Sequence, residues 1–445
     1  MRILFLTYRG NPSCGGQGIY TRRLTRELAA LGHEVEVWSG PPYPELEDSV
    51  RLQRIPGLEL WRDAPPLRRP EWSELRDPVN TGEWLRTITG TFAEPLSFSR
   101  RVARELERRT GAGAPPFDIV HDNQSLGAGL LRMQRLVPVV ATIHHPITVD
   151  RDLAIAAASD GLKRFGVERW YSFIAEQTRV APKLSAIITV SQASARGIAA
   201  DFRISPRDLR VIPNGVDIDR FRPLDGRERE PDRLVSTISA NAPLKGLPVL
   251  LEAVARLRLR RPAARLTVIG QDGHPAVVKQ LRELALGDAV RFTGRISTEE
   301  IIEEYARASI AIVPSLYEGF GLPAIEAMAC QVPVVSSDAG ALPEVVGDDA
   351  RAGVLVPPGD SVRLAAVLEE LLSQPRRLRT MGEAGRERVR ARFTWRHAAE
   401  RVVEVYREVA GGAPARSSRP AEVATSGPGS VATAGSPEMR EGAGC

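Results

Sequence analysis

The sequence predicts an α/β protein built from two doubly wound parallel sheets, and three observations carry that expectation. A chain of 445 residues is too long for one ordinary core. It opens with a strand, a glycine loop, a helix and a second strand, the start of an open parallel sheet. After a loose polar stretch, Arg222 to Arg233, the same alternation begins again. The expected division is residues 1–221, a linker 222–233, residues 234–394, a further helix 395–410 and a disordered tail 411–445.

The elements follow in order. Arg2 to Tyr8 contains ILFL and reads as a buried strand; GNPSCGGQG is the loop, Ile19 to Leu31 the helix and Glu34 to Gly40 the next strand. Residues 41–95 are Pro- and Trp-rich and read as irregular, as do residues 146–170. Helix Ser99 to Arg109 precedes strands at Phe117 to Asp122, Pro138 to His145 and Ser185 to Ser191, and Leu209 to Asp217 closes this half. The second half gives strands at Leu234, Arg265, Val290, Ile310, Val332 and Gly353, with helices such as Leu247 to Leu259 and Thr298 to Ala308 between them. Helices Arg363 to Gln374, Pro375 to Arg392 and Trp395 to Val409 follow. From Gly411 the chain holds no aromatic, leucine or isoleucine and cannot build a core.

Composition narrows the function. The hydrophobic content of 43% and charged content of 26% are those of a soluble globular protein. No apolar run is long enough to span a membrane, and the N-terminus lacks a signal peptide's h-region. Three cysteines without metal-ligand spacing argue for a reducing compartment, so the expected location is cytoplasmic. The net charge of +5 is spread along the chain, and no nucleic-acid motif accompanies it. Among 60 basic residues only Lys163, Lys183, Lys245 and Lys279 are lysines, which singles out Lys245 in PLKG before a helix. Helix 99–109 carries Arg100, Arg101, Arg104 and Arg108, which could meet an anionic membrane; with Glu105 and Glu107 it reads instead as a solvated helix with intrahelical pairs.

The chemistry concentrates in YEGFGLPAIEAM, Tyr317 to Met328. Gly319 and Gly321 suit a loop and Pro323 the first position of a helix, so Glu318 lies in the loop and Glu326 in the helix's opening turns. A helix N-terminus attracts anions. Lys245 with the amides from Gly319 through Phe320 and Gly321 to Leu322 makes a candidate diphosphate site, leaving Glu326 for ribose hydroxyls and Glu318 for a sugar. Glu326 alone would read as an exposed helix carboxylate; the constellation reads as a nucleotide-sugar site.

VIPNGVD (Val211 to Asp217), PLKG (Pro243 to Gly246), VPSLYEGFGLPAIEAMA (Val313 to Ala329) and VPVVSSDAGALPEVV (Val332 to Val346) together resemble the retaining glycosyltransferases of family 4 (glycosyl transferase group 1), over residues 1 to about 410. The resemblance implies the GT-B fold: two facing Rossmann-like domains with a cleft between them, the first on the acceptor side, the second binding the nucleotide sugar. It further implies that helix 395–410 crosses back to the first domain. By the resemblance Glu318 contacts the transferred sugar, Glu326 the ribose and Lys245 the diphosphate. His144 is the histidine over the donor sugar, and Gly15 and Gly16 belong to the first glycine loop. It also implies a metal-independent hexosyltransferase that needs no cofactor beyond its donor, a UDP- or GDP-sugar, and no nucleophile.

The chain departs from the family pattern at Ala240, where an arginine is usual, and at Gln331, where glycine is usual. Asn241 or the loop at Gly15 and Gly16 could replace the missing guanidinium. His145 competes with His144 for the imidazole role, and His121, Asp122, Asn123 and His145 are candidates for the acceptor side or for capping strand ends. The alternative readings are a catalytically silent nucleotide-sugar-binding subunit and a UDP-sugar epimerase.

Overall fold

The computed structural model describes residues 1–11, 16–61, 67–111, 113–238, 243–271 and 275–411. Cys14, Gly15, Ala240, Asn241 and the tail beyond Gly411 lie outside them, and so do the expectations attached to those positions.

Two sheets form. The first contains β1 (Arg2–Thr7), β2 (Glu34–Ser39), β3 (Arg51–Arg54), β4 (Ile119–Asn123), β5 (Val139–Ile143), β6 (Ala186–Thr189) and β7 (Leu209–Val211), in the order β3-β2-β1-β4-β5-β6-β7. The second contains β8 (Arg233–Thr237), β9 (Arg265–Ile269), β10 (Val290–Phe292), β11 (Ile310–Val313), β12 (Val334–Ser337) and β13 (Gly353–Val356), in the order β10-β9-β8-β11-β12-β13. β1 pairs in parallel with β2 and β4, and β8 with β9 and β11. Each order reverses once, between β1 and β4 and between β8 and β11. Loops leaving the C-terminal ends of those strands therefore flank the crevice where open α/β sheets take ligands.

The strand cores are apolar because helices cover both faces of a parallel sheet. Ile3, Leu4, Phe5 and Leu6 are fully buried in the first sheet, and Leu234, Val235, Ile310 and Val334 in the second.

The chain divides into one unit of residues 1–188, 197–210 and 400–445 and a second of residues 189–196 and 211–399. The boundary thus falls near 211 rather than 222. Val216 and Phe221 are buried in the second unit's core, and the Val216 amide donates to Phe393 O at 2.9 Å. Nor is 222–233 loose. Arg229 donates to the carbonyls of Ala308 (2.7 Å) and Gln331 (2.8 Å), and Glu230 N–H to Arg307 O at 2.9 Å. The Arg229 guanidinium caps carbonyls that the neighbouring helix ends leave open.

Two segments expected to be irregular are partly ordered. Residues 41–95 contain β3 and the helix Pro78–Ile88, capped by Asp77, whose carboxylate accepts from Val79 N–H at 2.8 Å. β3 reads RLQR because it is an edge strand, where charge is tolerated and apolar alternation is not needed. Residues 146–170 form the helices Ile147–Ala157 and Gly161–Trp170, whose faces are largely exposed and so give little periodic signal. The first helix is Gly16–Ala30, which draws Gly16 out of the loop and into the first turn.

The helix Glu94–Thr110 has its arginines engaged. Arg100 meets Glu176, Arg101 Glu83, Arg104 Asp77 and Arg108 Glu105. Of these four pairs only the last is intrahelical. A helix whose cations are already partnered makes a poor membrane face, and no described helix is long and apolar enough to cross a membrane.

Candidate functional site

β8 and β11 are neighbours, so the loops that follow them meet. Leu316 N–H donates to Leu244 O at 2.7 Å, tying the loop after β11 to the turn Pro243–Lys245. That tie places Lys245 Nζ 2.7 Å from Glu318 Oε2, with Ser315 Oγ donating to the same oxygen at 3.3 Å. The Lys245 side chain is 35% exposed and the Glu318 side chain 11%. Sequence reasoning put the two residues in one site but on different parts of the ligand; the structure brings them into an ion pair.

The loop around Glu318 is held from two sides. Glu318 O accepts from Ala341 N–H at 2.9 Å, and Gly340 approaches so closely that a Cβ there would lie 2.1 Å from that oxygen. Gly340 also has φ +58°, so only glycine fits. Gly319 O accepts from Ser191 Oγ at 2.8 Å and Ser194 Oγ at 3.1 Å. A peptide is planar, so the Phe320 amide points opposite to those serines. These serines were missed in the sequence, and nothing in their local pattern marks them. The helix Leu322–Ala329 then begins at Gly321. Among the described residues, the amides of Gly319, Phe320, Gly321 and Leu322 donate to no protein acceptor, which leaves a concentrated positive end. The Phe320 side chain is not part of this surface: it is buried edge-on against Phe393, and only its amide serves the site.

Glu326 sits one turn into that helix, partly buried, and among the described residues its carboxylate has no hydrogen-bond or ion-pair partner. Burial pushes it up to about 8. Tyr305, also missed in the sequence, lies close by with its hydroxyl on Thr237 Oγ1 (3.0 Å) and Pro323 O (3.4 Å), and burial, with Glu326 adding to it, raises its phenol.

In the first unit the candidates separate. His121 is fully buried, its Nδ1 2.5 Å from Tyr406 Oη and its Nε2 2.7 Å from Thr142 Oγ1. Burial lowers its imidazole to about 3. Asp122 is fully buried too, its Oδ2 accepting from the amides of Ser125 (2.9 Å) and Leu126 (3.0 Å). Burial lifts it to about 6 despite those donors. β4 is central in its sheet, and both side chains are fully buried and hydrogen-bonded within the fold. Asn123 and His144 do come together, Asn123 Oδ1 lying 2.7 Å from His144 Nε2. His145 turns away to Asp150 at 2.6 Å. Among the described residues no cluster could hold a metal ion.

Two parallel-sheet units with ligand-facing loops at their switch points define a GT-B protein. The chain belongs to the glycosyltransferases of this fold: residues 14–220 match Glycosyltransferase Family 4 and residues 223–388 match Glycosyl transferases group 1. It is 48% identical over 408 residues to the MMP α-(1→4)-mannosyltransferase of Mycolicibacterium hassiacum, covering 91% of this chain and 98% of that one. It is 33% identical to the D-inositol 3-phosphate glycosyltransferase of Frankia alni, covering 89% and 95%. Among solved structures it resembles sucrose-phosphate synthase from Thermosynechococcus elongatus, with TM-score 0.68, 25% identity and coverage of 93% and 100%. The protein is a glycosyltransferase.

Proposed function

We propose that this glycosyltransferase is a retaining α-mannosyltransferase that moves mannose from a nucleoside diphosphate mannose to a hydroxyl of a saccharide acceptor without a metal ion. The sugar and an α-(1→4) linkage are taken over from the relative at 48% identity. One observation carries the donor class: Lys245 and Glu318 stand at an open helix N-terminus, and one turn inside it is the Glu326 carboxylate, which has no partner among the described residues.

Ribose hydroxyls donate to Glu326. The diphosphate lies against Lys245 and the amides of Gly319 to Leu322, where a cation and aligned N–H groups offset the charge of the leaving group. Glu318 and His144 hold hydroxyls of the mannose. The bond from C1 to the phosphate oxygen breaks, and the acceptor hydroxyl attacks the same face as it passes its proton to that oxygen. The anomer is kept, and no protein nucleophile is required.

The test is product analysis by NMR, with GDP-, UDP- and ADP-mannose offered in turn to methyl α-mannoside. An α-linked disaccharide formed with chelator present is the expected result; a β-linked product or a metal requirement would refute the reading.

A further inference from the structure

The contact between Asn123 and His144 fixes more than a position. Asn123 ends β4, is fully buried, and sends its amide nitrogen to two oxygens: Gln17 O at 3.2 Å and Thr21 Oγ1 at 3.1 Å. The Thr21 hydroxyl spends its own proton on Gln17 O at 2.8 Å, so toward Asn123 it can only accept. Both partners therefore demand the NH2 end of the amide. The amide cannot turn over, and its oxygen faces His144 Nε2 at 2.7 Å. An amide oxygen only accepts, so Nε2 carries the proton and Nδ1 is the basic nitrogen of the ring.

The ring is held on other sides as well. The His144 amide donates to Gln124 Oε1 at 2.8 Å, and Tyr20 meets the ring edge-on at 4.6 Å and 83°. Among the described residues, the titratable groups around it include Tyr20 on the first helix, His121 on β4 and the adjacent His145. Burial raises the Tyr20 phenol above its ordinary value and lowers the His121 imidazole, so neither brings charge to the ring. Burial and His145 together lower His144 to about 3.

We propose that Asn123 is a positioning residue that holds His144 as a neutral, Nε2-protonated imidazole, so that the ring meets the transferred sugar as an acceptor and never as a cation. The proposal rests on the reading of His144 as a sugar-facing residue. Its chemical sense lies in the transition state. Breaking the bond from C1 to the phosphate oxygen leaves positive charge on the sugar ring, and a neighbouring imidazolium would raise that barrier. An aspartate at 123 would stabilise the imidazolium; an asparagine gives the same geometry without the charge.

The experiment uses the full-length enzyme labelled with nitrogen-15 at histidine, together with Asn123→Asp. In the wild-type protein His144 should show the Nε2–H tautomer at neutral pH. In Asn123→Asp it should show an imidazolium, and kcat should gain an acid limb, falling about tenfold per pH unit below the new pKa while donor KM changes little. The wild-type kcat should show no limb from His144. A wild-type Nδ1–H tautomer or imidazolium overturns the proposal, and that reading needs no variant to fold. Wild-type kcat at pH 6 in an Asn123→Asp enzyme whose His144 is charged overturns it too. If the protein transfers no sugar at all, the tautomer still reports on Asn123, so failure of the functional reading is recognised separately.

Discussion

Lys245 Nζ and Glu318 Oε2 lie 2.7 Å apart, 73 residues distant in the chain and joined because β8 and β11 are neighbours. Under the proposed function a diphosphate must draw the ammonium's donors away from Glu318. The pair is part-exposed, so its net worth is about 1 kcal/mol or less. Glu318→Gln should therefore tighten binding of the nucleoside diphosphate by roughly two- to fivefold while lowering kcat, since the proposed function has the carboxylate position the sugar as well. Calorimetric titration with the diphosphate and a turnover assay check both halves. Weaker diphosphate binding in Glu318→Gln would show that the pair does not compete with the ligand.

Donor binding should release a proton. Burial holds the Glu326 carboxyl up at about 8, so below that pH the site is largely protonated. Under the proposed function ribose hydroxyls donate to the ionised form and favour it, so affinity rises with pH up to about 8 and levels off above. Titrations at pH 7 in two buffers of different ionisation enthalpy should give different apparent heats, and Glu326→Gln should abolish the difference. The same shift works against stability. A carboxyl raised in the folded state loses stability as pH climbs from its unfolded value toward 8. Glu326→Gln should melt higher than wild type at pH 8, by roughly 2–4 °C for each kcal/mol relieved.

Much of the second unit was legible because its strands are apolar runs bounded by glycine and proline, and its site residues cluster in one stretch around Glu318. The first unit was less so. β3 and the helices at 147–170 lack periodicity because they are exposed, and His121 looked like a ligand because strand-end polar residues often are. What the structure shows is a buried ring bonded to Tyr406, 285 residues away, and no local pattern encodes such a contact. Asn123 stood among the candidates in the sequence, but its partners Gln17 and Thr21 belong to another element, so its role needed the fold.

Tyr406 brings the end of the chain into the first unit. The helix Trp395–Ala410 enters that unit at Glu400, and Val402, Val403, Val405 and Tyr406 are buried. Tyr406→Ala should cost about 3–5 kcal/mol, the range for deleting a large buried side chain. Tyr406→Phe keeps the ring but strands His121 Nδ1, at about 1–3 kcal/mol. Denaturant melts should rank the variants in that order, and a chain ending before Trp395 should give no soluble enzyme. Equal stability of Tyr406→Phe and wild type would show that the hydroxyl contributes nothing.

Gln331 occupies a left-handed backbone position, φ +63°, which explains why the family usually has glycine there. The carbonyl that Arg229 binds is unaffected by the side chain. Gln331→Gly removes about 1–2 kcal/mol of steric strain and returns part of it as unfolded-chain entropy. A small rise in melting temperature with unchanged kcat is expected, and a fall would mean that the glutamine side chain is itself structural.

The last prediction separates two glycines two residues apart. A Cβ on Gly18 would lie 2.1 Å from Asn11 O, so any side chain there pushes the helix Gly16–Ala30 off the backbone leaving β1. A Cβ on Gly16 would meet nothing within 4 Å, and the residue is exposed in the helix's first turn. Gly18→Ala should therefore lower the melting temperature, and Gly16→Val should leave it nearly unchanged. Gly16→Val nevertheless places bulk and a shielded amide at the helix start that the sequence offered as a replacement for the missing guanidinium. Its kcat should fall sharply while the nucleoside diphosphate, which the proposed function places on Lys245 and Glu326, binds as before. A melting temperature unchanged together with wild-type kcat would remove the loop at Gly16 from the reaction. A collapse in stability would instead show that this turn packs more tightly than its open Cβ position implies.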